Sequence, residues 1–122
     1  MANEITKTTK IRTTNGNLKT RFEPGTVTLD QTTAKSYYTV NAIGTSEESI
    51  TDFGDLATTE YGQCVIHNLD DTNYVRVGFA TGVYGIRIYP GDHAVFPLED
   101  AADLFLIANT ASCNVLIQVD GR

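Results

Sequence analysis

The chain has 122 residues, 41% of them hydrophobic and 20% charged, which is the size of one domain with an ordinary globular balance. Nine Lys and Arg stand against fifteen Asp and Glu, a net charge of −6, the opposite of the clustered positive charge a nucleic-acid binder needs to release phosphate counterions. No apolar run reaches the length of a membrane span, no basic start leads into an apolar signal core, and two cysteines are too few for a disulfide scaffold.

Taken from the N-terminus, the first third is threonine-rich, with Thr6, Thr8, Thr9, Thr13, Thr14, Thr20, Thr26, Thr28, Thr32 and Thr33. Such β-branched residues suit half-exposed strands. Between Ile5 and Phe22 only Ile5, Ile11, Leu18 and Phe22 are available for burial, too few for two strands to stand alone in water. Either another surface covers this segment or it frays. Asn15-Gly16 predicts a type I′ hairpin joining Lys10–Thr14 to Asn17–Phe22, and Pro24-Gly25 a type II turn leading into a strand over Thr26–Asp30.

Short β-type runs follow at Tyr37–Ile43, Ser49–Phe53, Gln63–Asn68, Tyr74–Ala80, Tyr84–Tyr89, Ala94–Leu98, Leu104–Ala108 and Asn114–Val119. Asp70-Asp71-Thr72-Asn73, Thr81-Gly82 and Pro90-Gly91-Asp92 punctuate them. In the last run Val115, Ile117 and Val119 share one face. Leu104–Ile107 is continuously apolar, as for a strand covered on both sides. No window has a helical period; the nearest, Leu98–Leu106, is broken by acids and allows one turn. The prediction is an all-β, antiparallel β-sandwich, jelly-roll or immunoglobulin-like. A polar, Thr-rich N-terminal arm or hairpin is expected over residues 1–42 and the sandwich body over 43–122.

Charge follows the same division. Residues 1–45 carry Lys7, Lys10, Arg12, Lys19, Arg21 and Lys35 against Glu4, Glu23 and Asp30, a balance of +3, and the remainder carries −9. Lys7, Lys10, Arg12, Lys19 and Arg21 are therefore the candidate contacts of the arm with an acidic partner surface, beside the plainer reading of a solvated face.

Chemistry-bearing patterns are sparse. Cys64 and Cys113 fall in expected core strands and are read as buried thiols, with a bridge open only if their strands face each other. His67 follows Cys64 by three positions, so in a strand the two point to opposite faces and cannot share a proton. His93 lies in the Pro-Gly-Asp-His turn. No His-x-His, Glu-x-x-His or Cys-x-x-Cys spacing points to a transition metal. Asp70, Asp71 and Asn73 offer oxygens without the spacing of an EF-hand. No nucleophile elbow, phosphate loop or dinucleotide fingerprint is present, so neither an enzyme nor a cofactor is expected.

Five stretches have a familiar order. Ile43-Gly44-Thr45-Ser46-Glu47-Glu48-Ser49-Ile50 comes first, followed by Gly54-Asp55-Leu56-Ala57-Thr58, then Val65-Ile66-His67-Asn68-Leu69-Asp70-Asp71-Thr72-Asn73-Tyr74-Val75-Arg76-Val77-Gly78. Tyr89-Pro90-Gly91-Asp92-His93-Ala94-Val95-Phe96 and Leu104-Phe105-Leu106-Ile107-Ala108-Asn109-Thr110-Ala111 complete the series. Over residues 43–119 this resembles small β-sandwich structural proteins of tailed-bacteriophage virions. The resemblance implies a virion component assembled in many copies, first a capsid decoration (cement) protein. It would be a dimer or trimer attached through its first 42 residues to the major capsid protein or to other virion proteins, with no nucleic acid or membrane partner. The alternative is a neck, tail or head-fibre accessory protein that recognises host glycans through loops carrying Asp70, Asp71, Asn73, Tyr84 and His93. A cupin-like sugar enzyme ranks last because the histidine cluster it needs is missing.

Overall fold

The computed structural model describes residues 3–122; Met1 and Ala2, within the expected arm, lie outside the described residues. Those residues form twelve strands and no helix. Backbone contacts separate two compact units, Met1–Thr32 and Thr33–Arg122. Residues 33–42, grouped above with the arm, lie in the larger unit. The strand that runs through the 42/43 boundary pairs along its whole length with the last strand of the chain.

The N-terminal unit consists of two antiparallel pairs. Strand β1 (Ile5–Thr8) pairs with β4 (Thr26–Leu29), bringing Ile5 opposite Leu29 and Thr8 opposite Thr26. Strands β2 (Ile11–Asn15) and β3 (Leu18–Phe22) form the hairpin inserted between them, with Ile11 opposite Phe22 and Asn15 opposite Leu18. That register makes Gly16-Asn17 the two central turn residues, one position later than Asn15-Gly16. Gly16 alone among the turn residues has positive φ, at 57°. Glycine at the first central position is the type II′ pattern, whose backbone twist also matches the flanking strands. Gly25, at φ 87°, occupies the left-handed position expected after Pro24.

The larger unit contains β5 (Ser36–Ile43), β6 (Glu48–Ile50), β7 (Tyr61–Asn68), β8 (Val75–Gly78), β9 (Ile86–Ile88), β10 (His93–Pro97), β11 (Leu104–Ala108) and β12 (Cys113–Gly121). Their pairing is nested. The first strand of this unit pairs with its eighth, the second with the seventh, the third with the sixth and the fourth with the fifth, all antiparallel. Pairing of β12 with β7 and of β11 with β8 joins these into two four-stranded sheets, ordered β10-β7-β12-β5 and β6-β11-β8-β9. A long hairpin folded over into two sheets in this order is a jelly roll; the immunoglobulin order differs. Of the two sandwich types left open by the sequence, the topology is therefore the first.

The inward faces form one core. Cys113, Val115, Ile117 and Val119 of β12 and Cys64 and Ile66 of β7 come from one sheet; Leu104 and Leu106 of β11, Val75 and Val77 of β8 and Ile88 of β9 come from the other. Phe53 stands edge-on to both Tyr37 and Tyr61, at centroid distances of 5.5 and 5.0 Å, and closes one end. Strand β11 corrects an expectation. Leu104 and Leu106 are buried, but Phe105 and Ile107 are half-exposed on the outside of the sheet, so the strand is covered on one side only. Segment 98–103 makes turns and no helix, with Ala101 held at φ 57°.

Asn68, at the end of β7, is fully buried and fully satisfied. Its Nδ2 donates to the carbonyls of Asn73 (2.9 Å) and Ile88 (3.1 Å), and its Oδ1 accepts from the Asp70 amide (3.0 Å). One side chain thus anchors the 69–74 loop to the opposite sheet. Pro97 is tolerated because β10 is an edge strand with β7 as its only partner in the sheet.

Candidate functional site

In the hairpin, alternation sorts the side chains onto two faces. Ile11, Phe22, Thr13, Thr20, Asn15 and Leu18 lie on one; Arg12, Arg21, Thr14 and Lys19 lie on the other. The apolar side chains of the first face are exposed. Ile11 is 59%, Leu18 54% and Phe22 55% exposed, and Val27 and Leu29 of β4 are exposed as well. On the basic face Arg12 lies directly opposite Arg21, a like-charge pair that needs a counterion. Glu23 supplies it: its carboxylate meets Arg12 Nε in a short contact, Arg21 at 3.7 Å and Lys10 at 3.9 Å. The structure thus brings Lys10, Arg12 and Arg21 together around one acid. Lys19 sits opposite Thr14, and Lys7 opposite Val27 on the other pair.

The expected loop contacts Asp70, Asp71, Asn73 and Tyr84 are engaged within the larger unit, the first three in one loop. Asp70 caps its own loop, accepting from the amides of Thr72 (3.0 Å) and Asn73 (2.6 Å). Those bonds, first from Asn73 and then from Thr72, hold its carboxyl below the ordinary aspartate range. Asp71 accepts from the Thr72 hydroxyl, and Asn73 Oδ1 from the Thr110 hydroxyl. Tyr84 donates its hydroxyl to Glu47 in a short contact that raises the phenol's pKa, and the Arg76 guanidinium lies 5.1 Å from its ring centroid. Neither its hydroxyl nor its ring is an unoccupied platform.

His93, at the end of the Pro-Gly-Asp-His turn, is exposed and opens β10, directly opposite His67 of β7. The two rings meet edge to face, with centroids 6.0 Å apart. Both belong to the outer face of the β10-β7-β12-β5 sheet, whose cross-strand register forms two rows. One reads Val40, Leu116, His67, His93; the other reads Tyr38, Gln118, Val65, Val95. Neither row contains Asp, Glu, Lys or Arg. Tyr38 is 65% and Val40 53% exposed. The next outward residue of β12, Asp120, accepts from Ser36 and Gln118 at the margin of these rows. This largely apolar sheet face was missed from the sequence. Its signal was apolar residues at both inward and outward positions of a run, as in Tyr37-Tyr38 with Val40, and Val65-Ile66.

Cys64 and Cys113 are free, buried thiols, which resolves the alternative left open above. Cys64 lies opposite Val119 on β12, so Cys113 is six residues along that strand, or about 20 Å at strand rise, well beyond disulfide reach. Burial pushes the Cys64 thiol up to about 12. Burial, and then the charge of Asp70, raises that of Cys113. Neither is an activated nucleophile. His67 points out of the sheet while Cys64 points into the core, so no cysteine–histidine pair forms. Among the described residues no three His, Cys, Asp or Glu are grouped to hold a metal ion.

The class of protein defined by this architecture is a small, all-β, antiparallel jelly roll preceded by two short strand pairs. Models of known protein families give no match to the chain, and neither do curated protein sequences.

Proposed function

We propose that the protein is a virion structural protein, a capsid decoration (cement) protein that binds the shell by protein–protein contacts and performs no catalysis. The observation that carries this reading is the N-terminal hairpin, which holds Ile11, Leu18 and Phe22 exposed on one face and Arg12, Lys19 and Arg21 on the other. A two-stranded hairpin is marginal in water without a third element on its apolar face, so this one calls for a partner. A partner with an apolar groove and acidic rims fits both faces, as the major capsid protein or another virion protein would provide. The jelly roll supports the same reading by supplying a rigid body, and the exposed apolar rows of its outer sheet face offer a surface for self-association into a dimer or trimer. Its place is then the virion, with neither nucleic acid nor membrane as partner.

Glycan recognition by the loops draws less support, because Asp70, Asn73 and Tyr84 already satisfy contacts within the body. The test is binding of the full chain to undecorated shells. The double variant Leu18→Glu with Phe22→Glu should lower affinity ten-fold or more, since removing a buried interface anchor costs about 2 kcal/mol. Shell occupancy equal to the wild type would overturn the proposal, and glycan-array binding by the isolated protein would favour the accessory-protein alternative.

A further inference from the structure

We propose that His67 and His93 form half of a site for a zinc-class divalent transition metal, completed by the same pair from a second copy of the chain. The inference stands on geometry alone and is independent of the virion reading. Two imidazoles that share one zinc, at Zn–N distances of about 2.0–2.1 Å, have ring centroids roughly 5–6 Å apart; these rings stand at 6.0 Å. Direct cross-strand register fixes their separation, since His67 and His93 are opposite residues of β7 and β10 and the backbone of a paired strand holds such neighbours in place.

The tautomer is also set. His67 Nε2 lies 3.2 Å from the Gly91 carbonyl oxygen. A carbonyl only accepts, so Nε2 carries the proton and, in the neutral ring, Nδ1 carries the lone pair. Orientation of a ligating imidazole by a backbone carbonyl on its other nitrogen is the arrangement found around protein-bound metals. Gly91 is itself held because its N–H donates a hydrogen bond to the Asn68 carbonyl (3.0 Å), and Asn68 is the buried anchor described above. The support therefore reaches from the surface pair into the core.

Two imidazoles leave a tetrahedral ion two ligands short. No third His, Cys, Asp or Glu joins the pair among the described residues, so the missing ligands must come from water or from another molecule. A second copy is the occupant that the surface favours. The pair ends a row that continues through Leu116 to Val40, beside the row of Tyr38, Gln118, Val65 and Val95. These two rows hold no ionised carboxylate or ammonium group; the carboxylate of Asp120, the next outward residue of β12 after Gln118, accepts hydrogen bonds from Ser36 and Gln118 at the far side from the histidines. Two copies can approach through the Val40, Leu116, Tyr38, Val65 and Val95 part of the face, burying apolar surface beside a four-histidine site and leaving Asp120 at its margin. Imidazole ligands suit zinc, nickel and copper, and four of them in a tetrahedron favour zinc.

The experiment titrates zinc chloride into the full chain, following heat and sedimentation. Expected are one zinc per two chains, a doubling of sedimenting mass reversed by chelator, and the intense visible absorption of tetrahedral cobalt when cobalt(II) replaces zinc. His67→Ala and His93→Ala should each weaken binding ten-fold or more, and the double variant should abolish both binding and the mass change. His93→Gln, a milder change at an exposed position, serves as a second variant and should behave like His93→Ala. Undiminished zinc affinity in the double variant, or no zinc uptake by the wild type, would overturn the site. One zinc per chain with no change in mass would overturn its completion by a second copy.

Discussion

The two units of this chain are built from the same kind of strand and differ in what those strands bury. In the N-terminal unit, four strands satisfy one another's backbone groups in pairs, yet Ile11, Leu18, Phe22, Val27 and Leu29 all stay exposed. In the larger unit, Ile66, Val77, Leu104, Leu106, Ile117 and their neighbours are withdrawn from water. Hydrogen-bonded pairing is common to both, so it does not account for the difference. A backbone hydrogen bond exchanges partners with water for a small net gain, whereas each buried aliphatic side chain contributes about 1.5–3 kcal/mol. The larger unit has an internal reason to fold, and the smaller one needs a reason from outside.

The largest expected effect falls where the larger unit is tightest. A Cβ added at Gly78 would lie 1.7 Å from the Val83 carbonyl oxygen, a backbone atom with no rotamer to yield. Gly78→Ala should therefore cost about 3 kcal/mol or more, read as a lowered urea midpoint or as failure to fold. Ile117→Ala, in the core, should cost about 2–5 kcal/mol, whereas Leu18→Ala, on the exposed hairpin, should cost under about 0.5 kcal/mol in the isolated protein. Equal losses at the two positions would break the comparison between the units. Asn68→Ala leaves the Asn73 and Ile88 carbonyls and the Asp70 amide without their partner and should cost about 2–3 kcal/mol. Ala101→Gly works in the other direction: it relieves a left-handed non-glycine residue and should raise stability by about 0.5–1 kcal/mol, read as a higher urea midpoint.

The smallest effect is acid-dependent. The Asp70 carboxyl is held below its ordinary value of 3.8 by the Asn73 and Thr72 amides, and Glu60 below 4.5 by the Ala57 amide and then Lys35. A depressed carboxyl stabilises the fold above its unfolded value and loses that contribution as pH falls through the folded one. Wild type should therefore exceed Asp70→Ala in denaturation midpoint at neutral pH, with the gap shrinking as pH falls from 3.8 and closing once the folded carboxyl is itself protonated. A gap that persisted there would assign the difference to packing.

Much of the fold was legible because short strands and their turns are written locally. Leu104–Ala108 has the predicted bounds, the inward set Val115, Ile117 and Val119 is buried, and Gly25 and Gly91 take the positive φ that their Pro-Gly turns require. What joins strand to strand was not legible. Nesting of β5 with β12 links residues about eighty positions apart, and nothing in either run names the other. The same distance effect hid the imidazole pair. His67 and His93 obey no ligand spacing along the chain and meet because two strands are in register. Of the candidate contact residues, the hairpin cations were legible as a basic segment, but their gathering at Glu23 depends on Arg12 facing Arg21 across the hairpin. Phe105 and Ile107 misled for the converse reason: an apolar side chain does not say whether its outward neighbour is protein or water.

Because the first and eighth strands of the jelly roll lie side by side, the larger unit begins and ends at one place, where the Thr33 amide donates to the Arg122 carbonyl at 2.8 Å. A short linker from Arg122 to Thr33 would make the unit circular, and reopening it at the exposed Thr81-Gly82 turn would give a permutant with every strand pairing intact. By the same token, cargo fused after Arg122 would be tethered beside the backbone of Thr33.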